Sequence, residues 1–264
     1  MIYLVSYGGP YNLYNKRQKF SAYTAKRFGK VDKVVMYSDK DIAQDKNFYN
    51  KNKELLSCKR GNGYWVWKPY IIYKTLQLLQ KEDVLIYCDV DTIFIDNVKP
   101  VIDCMNHNQK DLLVFDTNHL EYKYTKYELF NAFDLTENKF QESRQRLSGF
   151  NIWKPTEFNI DLAKEWLYYN QKANLVNDVN TYSNPHFHKE FIEHRHDQSI
   201  LSLLTKKYNI ESFRDPSNWG NSLLNDYPKS SYGQVIFNTL DDSRKARYLT
   251  YLFGKLYLNK FKQL

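Results

Sequence analysis

The chain has 264 residues, of which 42% are hydrophobic and 26% charged, with 38 Lys and Arg against 30 Asp and Glu and a formal net charge of +8. This composition excludes a wholly disordered chain and a collagen-like repeat, and no apolar run approaches the roughly 20 residues that span a bilayer. The basic balance suits an anionic partner, which composition alone leaves open among nucleic acid, an acidic membrane surface and a phosphorylated substrate.

The elements read as β and α in alternation. Ile2 to Tyr7 is expected to be a strand that breaks at Gly8-Gly9-Pro10. The apolar start Met1 to Val5 is too short for a signal-peptide core and has no basic lead-in, so a cytoplasmic protein is expected. Asn12 suits the N-cap of a helix that runs to about Phe28 and ends at Gly29. Val31 to Tyr37 reads as a second strand, and Lys40 to Lys53 as a polar stretch with few apolar residues. Pro69 fits the first turn of a helix whose buried face carries Ile72, Thr75, Leu76 and Leu79. Trp65 and Trp67 alternate around Val66, which places both on one face, toward the core, the alternative being a stacking platform for a sugar.

Val84 to Cys88 is a continuous apolar run, the pattern of a strand buried on both faces of a parallel sheet. Leu112 to Phe115 and Gly149 to Trp153 read as further strands. Phe158, Leu162, Trp166 and Tyr169 mark one helix face, and Ile200, Leu201, Leu204 and Tyr208 another, with a polar loop from Asn170 to Pro185. Such alternation implies an α/β fold: a mostly parallel sheet flanked by helices, in one domain over residues 1–240. The three cysteines, Cys58, Cys88 and Cys104, form no CxxC pair, so neither a disulfide framework nor a zinc knuckle is expected.

Asp89-Val90-Asp91 follows the apolar strand directly. In open α/β sheets ligands bind beyond the C-terminal ends of the strands. Two carboxylates one residue apart repel each other there, and a divalent cation relieves the repulsion. Mg²⁺ or Mn²⁺ favours such oxygen ligands and fills its shell with water and substrate phosphate. The alternative is a pair of turn-capping acids, since a bare DxD recurs by chance.

The run from Lys81 to Asp91 resembles the DxD strand of GT-A fold glycosyltransferases. Arg60-Gly61-Asn62-Gly63-Tyr64-Trp65-Val66-Trp67-Lys68-Pro69 resembles a segment of bacterial and large-virus members of that group. Ser148 to Trp153 is similar to the strand on the acceptor side, and His196-Asp197-Gln198 is similar to the helix start of the glycogenin-like and bacterial galactosyltransferase-like branches. These matches lie in the family's order over about residues 1–204. The resemblance implies a Rossmann-type GT-A domain that moves a sugar from a UDP- or GDP-linked donor to a glycan or lipid-linked acceptor. It implies that Asp89 and Asp91 hold Mn²⁺ or Mg²⁺. It places Ser6, Tyr7, Asp39, Arg60, Tyr64, Lys68, Asp89, Val90 and Gln198 around the donor. Asp197 is then the catalytic candidate, as base or as a grip on sugar hydroxyls, against the alternative of a helix N-cap. Asp116 is a rival for that part. Arg60 could equally be an exposed loop charge, and Lys68 a solvated helix start.

One departure stands out. Glycogenin-like enzymes carry a further metal-ligand His near the C-terminus, whereas the last His here is His196. Asp215, Ser217 or Asn218 could take its place, and the stereochemical outcome stays open. His186, His188, His194 and His196 match no zinc spacing and read as surface histidines. Residues 241–264 interleave basic and aromatic residues, which suits a helix lying on a membrane surface or docked on the domain. Two rival functions are a haloacid-dehalogenase-like phosphatase, which has Thr or Val where Ile93 stands, and a non-catalytic nucleic-acid binder. No nucleic-acid recognition module is recognisable, and no nucleic-acid partner is expected.

Overall fold

A computed structural model describes residues 1–179 and 188–239. His186, part of the Asn-rich tract and the C-terminal segment 241–264 lie outside the described residues. The strands are β1 (Ile2–Tyr7), β2 (Lys33–Tyr37), β3 (Val84–Cys88), β4 (Thr92–Phe94), β5 (Leu112–Leu120), β6 (Arg144–Arg146), β7 (Phe150–Trp153), β8 (Ser212–Arg214) and β9 (Ile236–Asn238). The main sheet has the order β2-β1-β3-β7-β5-β6, with β8 paired on β5. β2, β1, β3, β5 and β8 run one way, whereas β7 and β6 run the other. The sheet is therefore mixed and mostly parallel.

Every residue of β3 is buried, as its unbroken apolar run requires. Its side chains alternate between two cores. Leu85 and Tyr87 pack with Ile72, Leu162, Trp166 and Ile200 from the helices Trp67–Leu76, Glu157–Asn170 and His196–Lys207. Ile86 and Cys88 pack on the other face with Ala25, Val101 and Met105 from the helices Asn12–Arg27 and Lys99–His107. The three cysteines are free. Among the described residues no helix is long and apolar enough to cross a membrane.

Several local expectations give way to tertiary context. Tyr11, not Asn12, is the N-cap of the first helix, without a side-chain cap; Asn15 Nδ2 instead donates to the carbonyls of Gly9 (3.3 Å) and Tyr11 (3.2 Å). The polar stretch after β2 folds into the short helices Asp39–Gln44, Lys46–Lys51 and Lys53–Leu56, the first two held by local caps. Asp41 accepts from Ser38 N at 2.8 Å and Asp45 from Phe48 N at 3.0 Å, while Ile42, Phe48 and Leu55 supply the buried anchors. Phe158 and Tyr208, expected on core faces, are 49% and 41% exposed and cover each other edge to face.

Residues Gly61 to Trp65 all have positive φ, at 57°, 50°, 95°, 50° and 58°. This is a left-handed turn, closed by Tyr64 N to Arg60 O (2.8 Å) and Trp65 N to Gly61 O (3.2 Å). Left-handed backbone costs roughly 1–2 kcal/mol per non-glycine residue. The alternation argument for the two tryptophans fails here because the segment is not extended. Trp67 is buried, whereas Trp65 turns outward to the cavity described next.

Candidate functional site

A cavity of about 850 Å³ opens where the parallel strands β3, β5 and β8 end. Its lining includes Asp89 and Asp91 after β3, Asp116 in β5, Ser148 and Gly149 before β7, and Asp215 after β8. Asp197 and Gln198 reach it from the first turn of the helix His196–Lys207, and Trp65 and Lys68 from the segment around the left-handed turn.

Lys68 is the electrostatic centre. It is 2% exposed, with Nζ 2.9 Å from Asp197 Oδ2, 3.3 Å from Asp89 Oδ1 and 3.0 Å from Ser148 Oγ. Burial opposes its charge, but Asp197 and then Asp89 outweigh burial and hold the ammonium above its ordinary pKa. Lys68 is thus neither solvated nor a loose cation. Asp197 is not a helix cap either: Arg195 occupies that position, and Asp197 Oδ2 takes Lys68 and, at 2.8 Å, Ser148 Oγ. Burial pushes the Asp197 carboxyl up, with Lys68 working against it.

Asp89 accepts from the Tyr87 hydroxyl, and its backbone N–H donates to Gly149 O at 2.8 Å. A Cβ on Gly149 would stand 2.8 Å from Asp89 Oδ2, so glycine leaves that oxygen its room. Asp91 is anchored through its carbonyl, which accepts from Thr239 N (2.9 Å) and Thr239 Oγ1 (2.7 Å) beside the β4–β9 pairing. Its side-chain Oδ1 is buried with no hydrogen-bond partner. Burial, then Asp89, raises its acid to about 7, while Lys68 and Arg17 pull it down. An orphaned carboxylate oxygen beside a second carboxylate fits a cation. Among the described residues no three His, Cys, Asp or Glu side chains converge as a metal-binding group. A cation there would have Asp89 and Asp91 as its acidic ligands.

The remaining candidates divide. Gln198 lines the cavity, where its Oε1 accepts from Ser148 N (3.3 Å) and its Nε2 donates to Gln145 (2.7 Å). Arg60 lines it too, with Nε 2.8 Å from His196 Nε2 and 3.2 Å from Asp178, and a guanidinium nitrogen 3.6 Å from Glu193. Ser6, Tyr7, Asp39, Tyr64 and Val90 do not line it. Ser6 is buried, and Tyr7 bonds to Asp39 and Asn62, forming a separate cluster whose Tyr7 ring lies 4.1 Å from the ring of Trp67. Tyr64 packs on the ring of His196 at 5.1 Å, and Val90 is half-buried.

The surface reading of the histidines is corrected for two of them. His194 and His196 are 1% and 2% exposed and bond to the carbonyls of Leu175 (2.9 Å) and Val176 (2.7 Å). His196 accepts from Arg60 at Nε2, so Nδ1 carries its proton and the ring is neutral, consistent with burial lowering its pKa. His188 is exposed. Asp215, Ser217 and Asn218 line the cavity as well. Asp215 accepts from Ser217 N and Oγ, both at 2.8 Å, and burial raises its acid to about 6. Ser148, Gly149 and Trp219 escaped the sequence reading as site residues. Their only signal was membership of the Ser148–Trp153 and Arg214–Trp219 segments.

No protein-family model matches the chain, and no curated protein matches it. Among solved structures it is similar to the apo form of mouse xyloside xylosyltransferase 1, with 11% identity, a TM-score of 0.50, and coverage of 90% of this chain and 97% of that one. It is similar also to the galactosyltransferase LgtC in complex with donor and acceptor sugar analogs, with 11% identity, a TM-score of 0.53, and coverage of 96% and 95%. The chain has the GT-A fold of these glycosyltransferases.

Proposed function

We propose that this protein is a metal-dependent glycosyltransferase that uses a nucleoside-diphosphate sugar and a hydroxyl acceptor. The observation that carries the reading is the buried, unpartnered Oδ1 of Asp91, set beside Asp89 in a cavity at the end of a parallel strand. A buried polar atom without a partner is costly, and a ligand that satisfies it recovers that cost.

The residues divide the work by position. Asp89 and Asp91 would hold Mn²⁺ or Mg²⁺, with Gly149 keeping space open at Asp89 Oδ2. A divalent ion supplies Lewis-acid stabilisation to a leaving diphosphate. Lys68 lies between Asp197 and Asp89 and offsets one of their two negative charges, which lowers the repulsion that an anionic donor would meet in the cavity. Asp197, fixed by Lys68 and Ser148, is the cavity carboxylate placed to orient a sugar hydroxyl. The donor class is a UDP- or GDP-sugar and the acceptor a glycan or a lipid-linked glycan.

Thermal shift of the full chain with Mn²⁺ plus UDP, GDP or a random oligonucleotide tests the reading. Mn²⁺ with one nucleoside diphosphate should raise Tm, either component alone should raise it less, and Asp91→Asn should abolish the joint effect. A shift with oligonucleotide alone would refute glycosyl transfer. A panel of nucleotide-sugars with Mn²⁺ then identifies the donor.

A further inference from the structure

The strand register sets a second carboxylate level with the first. Leu85 of β3 and Leu112 of β5 both pair with Trp153, and Ile86 and Leu113 both pair with Ile152. Three residues further along each strand stand Asp89 and Asp116. Two strand spacings, about 10 Å, separate β3 from β5, with β7 and its leading Gly149 between them. That gap is of the order of a sugar ring with its hydroxyls.

Asp116 is 9% exposed and lines the cavity. Its Oδ2 accepts from Ser212 Oγ (2.7 Å) and Tyr227 Oη (2.6 Å), while Oδ1 has no hydrogen-bond partner and lies 3.8 Å from Arg146 Nε. Trp219 is 40% exposed and lines the same cavity. The backbone that carries this ring is tied to its neighbours. Trp219 N donates to Ser217 Oγ (3.1 Å), Ser217 is bonded to the buried Asp215, and Gly220 lies so close that a Cβ would meet the Asp215 carbonyl at 1.9 Å. Asn118 Nδ2 donates to Ser222 Oγ at 2.8 Å and ties β5 to the 3-10 helix Asn218–Leu223 that carries the tryptophan.

We propose that this wall is the acceptor subsite, and that it takes a neutral pyranose laid on Trp219 with hydroxyls directed to Asp116, Asn118 and Ser222. An exposed aromatic ring suits the apolar face of a sugar, and polar side chains beside it suit its hydroxyls. Asp116 lies 3.8 Å from Arg146 and Arg144 donates to Asn118 Oδ1 at 3.1 Å, so the charges on this wall are balanced and suit a neutral ring. This proposal rests on the glycosyl-transfer reading, to which it adds the acceptor's chemistry and place.

The test is calorimetric titration of the full chain, saturated with UDP and Mn²⁺, with methyl α- and β-pyranosides of glucose, galactose, mannose and xylose. At least one should bind, Trp219→Ala should weaken it about tenfold or more, and Trp219→Phe should keep most of the affinity. UDP affinity should be the same in all three proteins. Glycoside binding untouched by Trp219→Ala, no binding by any of the glycosides, or loss of UDP affinity in Trp219→Ala would overturn the acceptor assignment. Failure of the unaltered chain to bind any nucleoside diphosphate would overturn the glycosyl-transfer reading itself.

Discussion

Lys68 and Asp197 form an ion pair of 2.9 Å in which the two side chains are only 2% and 4% exposed. Such a pair contributes little as a whole, because desolvation offsets its attraction, but breaking it strands a buried charge. Lys68→Met strands two carboxylates, Asp197 and Asp89. The variant should lose about 3–5 kcal/mol of stability at pH 7 in urea unfolding. Part of the loss should return as the pH is lowered, because burial already pushes the Asp197 carboxyl up and the variant removes the ammonium that opposes this. Unchanged stability at pH 7 would show that the pair is not buried.

Gly149 has no positive φ, so alanine is tolerated by its backbone, and the strain falls on Asp89 Oδ2, 2.8 Å from the new Cβ. Gly149→Ala should weaken Mn²⁺-dependent UDP binding about tenfold, equivalent to about 1.4 kcal/mol. Its Tm without ligand should change little. Titration calorimetry with and without Mn²⁺ checks this, and equal affinity in both proteins would remove Gly149 from the site.

His194 is held neutral, with burial driving its pKa well below 6.5 and His196 and Lys126 adding to the effect. Above pH 6.5 folded and unfolded chains both keep this imidazole neutral, so it has no effect on stability there. As pH falls below 6.5 the unfolded chain binds the proton and the folded chain does not, so stability drops by up to about 1.4 kcal/mol per pH unit. His194→Gln retains a donor for Leu175 O and an acceptor for Lys126 N. It should flatten the fall in unfolding free energy between pH 6.5 and 5 by about one proton's worth; an unaltered slope would mean that His194 titrates normally.

The left-handed turn makes Gly63 sensitive. Its φ is +95°, and a Cβ would lie 2.9 Å from the Cα of Leu56. Gly63→Ala should cost about 2 kcal/mol or more, from the backbone and the clash together. It should also disturb Trp65, whose ring stacks on His196 at 5.3 Å and lines the cavity. Chemical denaturation measures the first effect and tryptophan fluorescence the second.

What the sequence by itself determined was local and periodic. The run Val84 to Cys88 has the pattern of a strand buried on both faces, and the alternation of β and α that of a sheet covered by helices. The adjacent acids Asp89 and Asp91 were legible because they interrupt that run where such sheets bind ligands. Tertiary structure alone decided what meets those acids. Lys68 lies about twenty residues before them and Asp197 more than a hundred after, and nothing in their local patterns distinguishes a buried bridge from a wet helix start. The burial of His194 and His196 within a polar tract, and the level placement of Asp116 and Asp89, were equally hidden. Periodicity reports which face a residue takes on its own element, whereas partnership between distant charges is set by how the elements pack, and no short stretch of chain encodes that.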